Sequence, residues 1–527
     1  MNKSRLLILL SSLTCAISLG SCSLFPNDEQ KIDPPYIETV SKIKINLSTT
    51  QKSKTLYPEL GNSTDKKPVF TYKSSNTGVA KVSSTGVVTG VKTGTAKITV
   101  TLKSNTDVKT TVNVQVVNET KPHYDYTFMY YMAGSTLEYD PEEKGHEDVG
   151  LISEDLEEIL RYQMPDSVQI IVETGGAGGW SLGSSYLKGA TSISSTNLQR
   201  WEVTHDASPK LKLLETLPTN KMADHFSLRE FVEYGLEDYE ADNMGIIFSG
   251  HGGGVAGCCY DDNYLDSSNY PNTLNTIETS KAFRQALNNS EKDKMSFIGY
   301  DCCVMQDADI ASVNADYFDY MVGSQELEQG SGWAHDHYLY KVKTNPEIEV
   351  TSVLSDICDS FLAEKHSSLE YNPPHSTYRC LQTLSVLDLS KMSAFTGAFN
   401  AFSEALGTAK ASYDTVVKAF KNSYNGFGEK CYGLCDFKSF ISSFTGLDTE
   451  RQAILDFFED NSFVIHNSFC EFYTTSLCGL NAFVPLSLKA KTILQVGEGD
   501  YTNDGSYLAT KFSPWQKMCL NYGNFDF

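Results

Sequence analysis

Positive charge is in short supply in this chain. Its 527 residues carry 43 Lys and Arg against 66 Asp and Glu, for a formal net charge of −23 and an isoelectric point near 4.9. That balance excludes nucleic acid as a partner, because phosphate binding recruits basic patches, and it favours encounter with cationic ligands. Long apolar runs are also missing. Past Leu19 nothing approaches the ~20 residues of a membrane helix. Paired C-x-x-C units are absent among the 13 Cys, so nothing in their spacing supports a zinc site. Cys and Trp are both absent from residues 37–118, which sets that stretch apart from the rest.

What is present divides the chain further. Hydrophobic residues at 40% and charged residues at 21% describe a globular protein, long enough for two or three domains. Residues 1–21 read as a targeting segment, with Lys3 and Arg5 ahead of an apolar stretch from Leu6 to Leu19. Leu19-Gly20-Ser21-Cys22 is similar to a bacterial lipobox with Cys22 as the lipidated residue. The expectation is an exported bacterial lipoprotein, anchored to the membrane rather than spanning it. A polar tether, residues 22–36, follows. Residues 37–118 are rich in Thr, Ser, Val and Lys. Their strictly alternating runs are punctuated by Gly78, Gly86, Gly90 and Gly94, which predicts an all-β sandwich. Residues 119–123 read as a linker. From Tyr124 to the C terminus the pattern becomes α/β. Strands are predicted over 126–132, 168–172, 244–249, 295–300, 317–323 and 478–484, and helical stripes over 147–160, 277–287 and 350–361. Strands alternating with helices imply a mostly parallel sheet with flanking helices.

Two of these strands end in reactive residues. MGIIFSGHGGG closes on His251 and three glycines, and MSFIGYDCCVMQ contains Tyr300-Asp301-Cys302-Cys303. Function in parallel sheets collects at the carboxyl ends of strands, so His251 and Cys303 are expected close together. A thiol needs a base to become a nucleophile near neutral pH, and an imidazole serves. Taken singly, His251 reads as a loop histidine and Cys303 as a core thiol; the matched strand ends favour catalysis. Neighbours along an extended strand point to opposite faces, so only one of Cys302 and Cys303 can meet His251.

Several blocks, in order, resemble the clostripain family of cysteine peptidases: Tyr131-Met132 through Leu137-Glu138, the HGGG block over 246–254, Tyr300-Asp301-Cys302-Cys303-Val304-Met305, the run from Gly479 to Pro485, and the stretch around Tyr507 to Trp515. The resemblance runs from residue 124 to the end. Its order of His, then Cys about fifty residues later, is shared with caspases. The segment SSNTGVAKVSSTGVVTGVKTGTAKITV resembles a bacterial Ig-like group 2 domain, implying a spacer or adhesive module. The resemblance to clostripain implies a caspase-like sheet and a cysteine endopeptidase acting through a thioester acyl-enzyme. In it Cys303 is the nucleophile, His251 the general acid–base, and the backbone N–H groups of Gly252 and Cys303 the oxyanion donors. The family register selects Cys303 and leaves Cys302, where the family has Ala, as a core filler. Cleavage after Arg or Lys is implied, with Asp301 as the substrate-binding carboxylate. A second acid common in relatives is replaced here by Ser331, with Glu328 and Asp336 nearby.

No cofactor is needed for this chemistry. Ca²⁺ enters by resemblance alone, with Asp261, Asp262 and Asp266 as the acidic loop that would offer oxygens. Gly252 to Ser280 contains no Lys or Arg, so self-processing there by a basic-specific enzyme is not expected. Of the 13 Cys, removal of the leader's Cys15 leaves twelve, eleven of them in the α/β half, so at least one thiol there is free. The reading from another class is a surface adhesin whose peptidase-like domain is inactive and binds a ligand.

Overall fold

A computed structural model describes residues 34–65, 67–142, 149–266, 269–363, 382–425, 433–470, 473, 476–484 and 511–521. The leader, Cys22 and most of the tether lie outside the described residues, as do Cys431, Pro485 and Tyr507.

Ten strands build the central sheet: β1 (Tyr124–Ala133), β2 (Val168–Gly175), β3 (Leu187–Lys188), β4 (Gln199–Val203), β5 (Leu211–Thr216), β6 (Ala241–Ser249), β7 (Met295–Asp301), β8 (Phe318–Gly323), β9 (Thr383–Asp388) and β10 (Val464–Phe469). Their order is β3-β5-β4-β2-β1-β6-β7-β8-β9-β10. The middle five, β2-β1-β6-β7-β8, are parallel, and the neighbours β4 and β9 pair with them antiparallel. The parallel strands are buried on both faces, which is why they read as near-continuous apolar runs. Along β1, Tyr126, Phe128, Tyr130 and Met132 enter one core, while Met129, Tyr131 and Ala133 enter the other. Helices cover both faces: α1 (Leu151–Ile159), α2 (His225–Asp238), α3 (Thr276–Asn288), α4 (His335–Thr344) and α5 (Val350–Ala363). The caspase-like α/β architecture expected from the sequence is present.

Some boundaries differ. Helix α1 starts at Leu151 because Gly150 sits in the left-handed region (φ 76°), and Val149 is exposed rather than part of the stripe. The late strand shrinks to Asn481–Phe483, paired with Leu434–Asp436. Gly479 has φ 78°, and a Cβ there would lie 2.9 Å from the Ser385 side chain, so the chain turns where a strand was predicted.

The N-terminal sandwich has a four-stranded sheet packed on a three-stranded one. It begins slightly before the expected boundary, since Tyr36–Glu38 pairs with Glu59–Gly61. The reading of this module as a spacer needs correction, because it is seated on α2 and α3 through buried charge. The Arg229 guanidinium, fully buried on α2, donates to the carbonyls of Thr55 and Leu56 at 2.9 Å each and to Glu233 at 2.8 Å. Lys54 of the sandwich is only 3% exposed and reaches Glu237 at 2.7 Å. Asn289 exchanges two hydrogen bonds with the Thr55 backbone. His225 bridges Glu278 and, across the interface, Glu59, at 2.7 and 3.3 Å. Burial alone would lower the His225 pKa, but these two carboxylates outweigh it and raise it to about 10. Phe226 packs into the sandwich's own core. Nothing in linear composition marked this interface, because each partner is an ordinary polar residue on its own element.

Truncation therefore tests the interface directly. Removing residues before Lys121 takes the Thr55 and Leu56 carbonyls from Arg229 and Lys54 from Glu237, so the shortened chain should be less stable than the full one rather than equivalent. In the full chain, Arg229→Ala should cost about 3–5 kcal/mol in urea denaturation, the range for removing one partner of a buried charged network. A loss below about 1 kcal/mol, the scale of a surface pair, would show that the interface is loosely held.

Candidate active site

The site begins with the pairing of β6 and β7. Their parallel register runs from Gly245↔Phe297 to Ser249↔Asp301, and Gly250 N–H donates to the Asp301 carbonyl at 3.3 Å. Two residues past the last pair on each strand stand His251 and Cys303. Between them lies Gly252. A Cβ on Gly252 would fall 2.7 Å from Cys303 N and closer still to Cys303 O, so the approach of the two backbones requires glycine. The N–H groups of Gly252 and Cys303 donate to none of the described residues. The next residue, Val304, holds φ 55°, a strained value for a β-branched side chain. Its N–H bonds to the Glu326 carbonyl at 3.0 Å.

Cys302 and Cys303 follow the end of β7 and diverge as expected. Cys302 is buried, its thiol facing the Phe248 carbonyl at 3.5 Å and touching Cys258 and Cys259. Cys303 Sγ lies on the site side, where Glu328 N–H reaches it at 3.3 Å. Burial, then the charge of Glu328, push the Cys303 thiol up to about 12. Burial pushes His251 down to about 4, opposed only by Asp140. No hydrogen bond joins the two side chains among the described residues, so this state holds a neutral thiol and a neutral imidazole. His251 Nε2 lies 2.9 Å from Thr136 Oγ1, and the Tyr260 ring stands edge-on to the imidazole.

Asp301 points the other way, into a buried cluster. Its Oδ2 accepts from Trp333 N–H at 3.2 Å and faces His335 Nε2 at 3.1 Å. Asp155 on α1 lies 4.0 Å from the same nitrogen and accepts from Ser249 at 3.2 Å. The Glu328 carboxyl is buried beside Asp301 and Trp333, and neither of its oxygens nor Trp333 Nε1 is hydrogen-bonded to a described residue. Burial, then the Asp301 charge, hold Asp155 and Glu328 well above the usual carboxylate range. Three carboxyl groups thus share a dry space with one imidazole. Asp155, Asp301 and His335 are also the group among the described residues spaced like metal ligands, within 4.8 Å of one another. Ser331 precedes Gly332, whose left-handed φ of 59° folds it over Asp301 and Asp155. Asp336 does not join this cluster; it is buried against Arg161.

The acidic loop expected for Ca²⁺ does not fit that ion. Asp261 accepts from the N–H groups of Met222, Ala223 and Asn263, Asp262 from Ser135, and Asp266 from the N–H of Tyr270. Both oxygens of Asp261, and one each of Asp262 and Asp266, thus serve separate donors rather than converging on one point. Cys258, Cys259, Cys302, Cys303, Cys358, Cys435 and Cys478 are free thiols. Sequence reasoning passed over Asp155, His335 and Thr136. Asp155 did carry a signal, since it falls at position i+3 of the apolar stripe Ile152, Leu156, Ile159, where a carboxylate is costly without a role.

The clostripain family model matches residues 147–492, more than half of the chain. The chain belongs to the clostripain family. Residues 41–112 of this family member match the bacterial Ig-like domain (group 2). Clostripain from Hathewaya histolytica is 28% identical over 148 residues, which span 25% of this chain and 27% of that protein. An inactive zymogen C11 protease from Parabacteroides distasonis superposes with a TM-score of 0.51 at 15% identity, over 73% of this chain and 99% of that one. A secreted C11 cysteine protease from Bacteroides thetaiotaomicron, solved with an irreversible peptide inhibitor, gives 0.49 at 15% identity, over 74% and 99%. At such identity the Parabacteroides distasonis structure speaks to fold alone.

The His251 environment has a stability consequence. An imidazole at about 4 when folded and 6.5 when unfolded binds fewer protons folded than unfolded between those values, so stability is lost as pH falls from about 6.5 towards about 4. Denaturation at stepped pH should show the wild type losing stability relative to His251→Gln over that window. Parallel curves for the two proteins would contradict the buried, neutral imidazole.

Proposed function

We propose that this family member is a cysteine endopeptidase that cleaves after Arg, and less well after Lys, through Cys303 and His251. The observation that carries the reading is that the Gly252 and Cys303 backbones meet while their N–H groups donate to none of the described residues. Such a pair suits a developing oxyanion and has no structural use of its own. His251 takes the thiol proton as Cys303 attacks the scissile carbonyl. The tetrahedral oxyanion is held by the two N–H groups. His251 then protonates the leaving amine, and water releases the thioester with the same imidazole as base. The resting pair is neutral, so the thiolate forms with bound substrate and not before it.

The basic preference rests on the buried carboxyl cluster. Burial and the neighbouring Asp301 charge hold Asp155 and Glu328 well above the usual carboxylate range. A guanidinium brings the missing positive charge and forked donors that match carboxylates in pairs. Glu328 supplies the acid that Ser331 does not. A ligand-binding adhesin needs neither the oxyanion pair nor strain beside a thiol.

The tests are direct. Cys303→Ala should abolish peptide cleavage, and Cys302→Ala should retain it with a modest loss of stability. The reverse pattern would transfer the nucleophile to Cys302, and full activity in both variants would leave the adhesin reading. With fluorogenic peptides differing only at P1, Arg should exceed Lys, and both should exceed Leu and Ala. Asp301→Asn should lower kcat/KM for Arg by at least about tenfold, the scale of a lost charged hydrogen bond. Equal turnover of Leu and Arg peptides would remove the basic pocket while leaving the dyad. We also propose that the mature chain is a lipoprotein anchored at Cys22, on the lipobox alone. Cys22→Ala should move it from the membrane fraction to the soluble one; unchanged fractionation would refute the anchor.

A further inference from the structure

We infer that Thr136 is a positioning residue for His251, tying down Nε2 so that Nδ1 is the nitrogen that exchanges a proton with the thiol and the leaving amine. The inference rests on the dyad reading above and assigns a role to a residue outside it. Thr136 Oγ1 lies 2.9 Å from His251 Nε2, and Nδ1 makes no hydrogen bond to a described residue.

The turn that carries Thr136 is braced far beyond what a surface loop needs. Gly134 N–H donates to the Gly175 carbonyl at 2.9 Å and Ser135 N–H to the Gly176 carbonyl at 3.1 Å, locking the end of β1 to the end of β2. Ser135 holds a left-handed φ of 44°, and its hydroxyl donates to Asp262 at 2.9 Å. A non-glycine residue in that region costs free energy and persists where its surroundings over-determine it. One turn on, the buried Glu138 carboxylate accepts from Ser153 N–H, Ser153 Oγ and Ser181 N–H at 2.8, 2.6 and 2.6 Å. The hydroxyl is thus presented to the imidazole from a rigid platform, with the Tyr260 ring edge-on to the imidazole.

A hydroxyl suits this place chemically. It accepts from Nε2–H whether the ring is neutral or protonated, so the contact survives the whole proton cycle. A carboxylate there would stabilise the imidazolium and hold the proton; the nearest charge that acts on the ring, Asp140, works at longer range. A hydroxyl could equally donate to a bare Nε2; the inferred tautomer is the one in which it accepts. With the proton on Nε2, the lone pair is on Nδ1.

The experiment uses the full chain and a fluorogenic peptide with Arg at P1. Thr136→Val keeps the side-chain shape and deletes the hydroxyl; Thr136→Ser keeps the hydroxyl. Thr136→Val should lower kcat by about tenfold, the worth of one ordinary hydrogen bond, with KM unchanged and the acidic limb of the kcat–pH profile displaced. Thr136→Ser should return kcat to within about threefold of wild type. Wild-type kcat and pH profile in Thr136→Val would overturn the inference while the dyad stands. So would a loss in Thr136→Val that Thr136→Ser does not rescue, since that describes packing. Activity in His251→Ala would instead remove the dyad and this role with it. Nitrogen NMR of His251 in full-length Cys303→Ala reads the tautomer without turnover: Nε2–H is expected, and Nδ1–H would overturn the assignment.

Discussion

The site depends on one close approach, that of the Gly252 backbone to the Cys303 backbone. No side chain fits between them, so glycine at that position is a steric requirement. The approach is possible because β6 and β7 keep parallel register through five pairs, ending at Ser249 and Asp301. Burial on both faces enforces that register, because a slip of one residue would send every side chain to the wrong face. The same approach brings the Gly252 and Cys303 backbones together and is followed at once by the left-handed turn at Val304.

Burial also governs the electrostatics. It holds Cys303 as a thiol, His251 as an imidazole, and Asp155 and Glu328 as acids with raised pKa. Each of these groups is held towards its neutral form. A reactive thiolate and a naked acidic pocket would both be costly in a dry interior. The neutral forms avoid both.

The sandwich contributes to the same geometry from a distance. Helix α2 leads into β6, which carries His251, and α3 leads into β7, which carries Cys303. The N-terminal module grips both helices, with Arg229 and Asn289 on the Thr55 backbone and Lys54 against Glu233 and Glu237. Its lysines Lys42 and Lys44 meet Glu215 and Asp238 of the α/β half. Acidic excess in the larger half is thus partly matched by basic groups in the smaller one. The two units are joined by a shared charged interface and not by a linker alone.

Much was legible in the sequence because it is written within single elements. Apolar runs on both faces marked β1, β2, β6, β7 and β8, alternation marked the sandwich, and breakers after β6 and β7 marked where His251 and Cys303 stand. Strand geometry said only that Cys302 and Cys303 diverge; the choice of Cys303 came from the resemblance to the clostripain family. Contacts between distant elements were not legible. Asp155, Asp301, Glu328 and His335 come from α1, β7, a loop and α4, and only folding brings them together. Thr136 meets His251 across the sheet's end, and Arg229 meets Thr55 across two domains. Periodicity reports which face of one element is buried; which residue waits on the facing element is decided by tertiary packing, because the sequence separation of such partners carries no period.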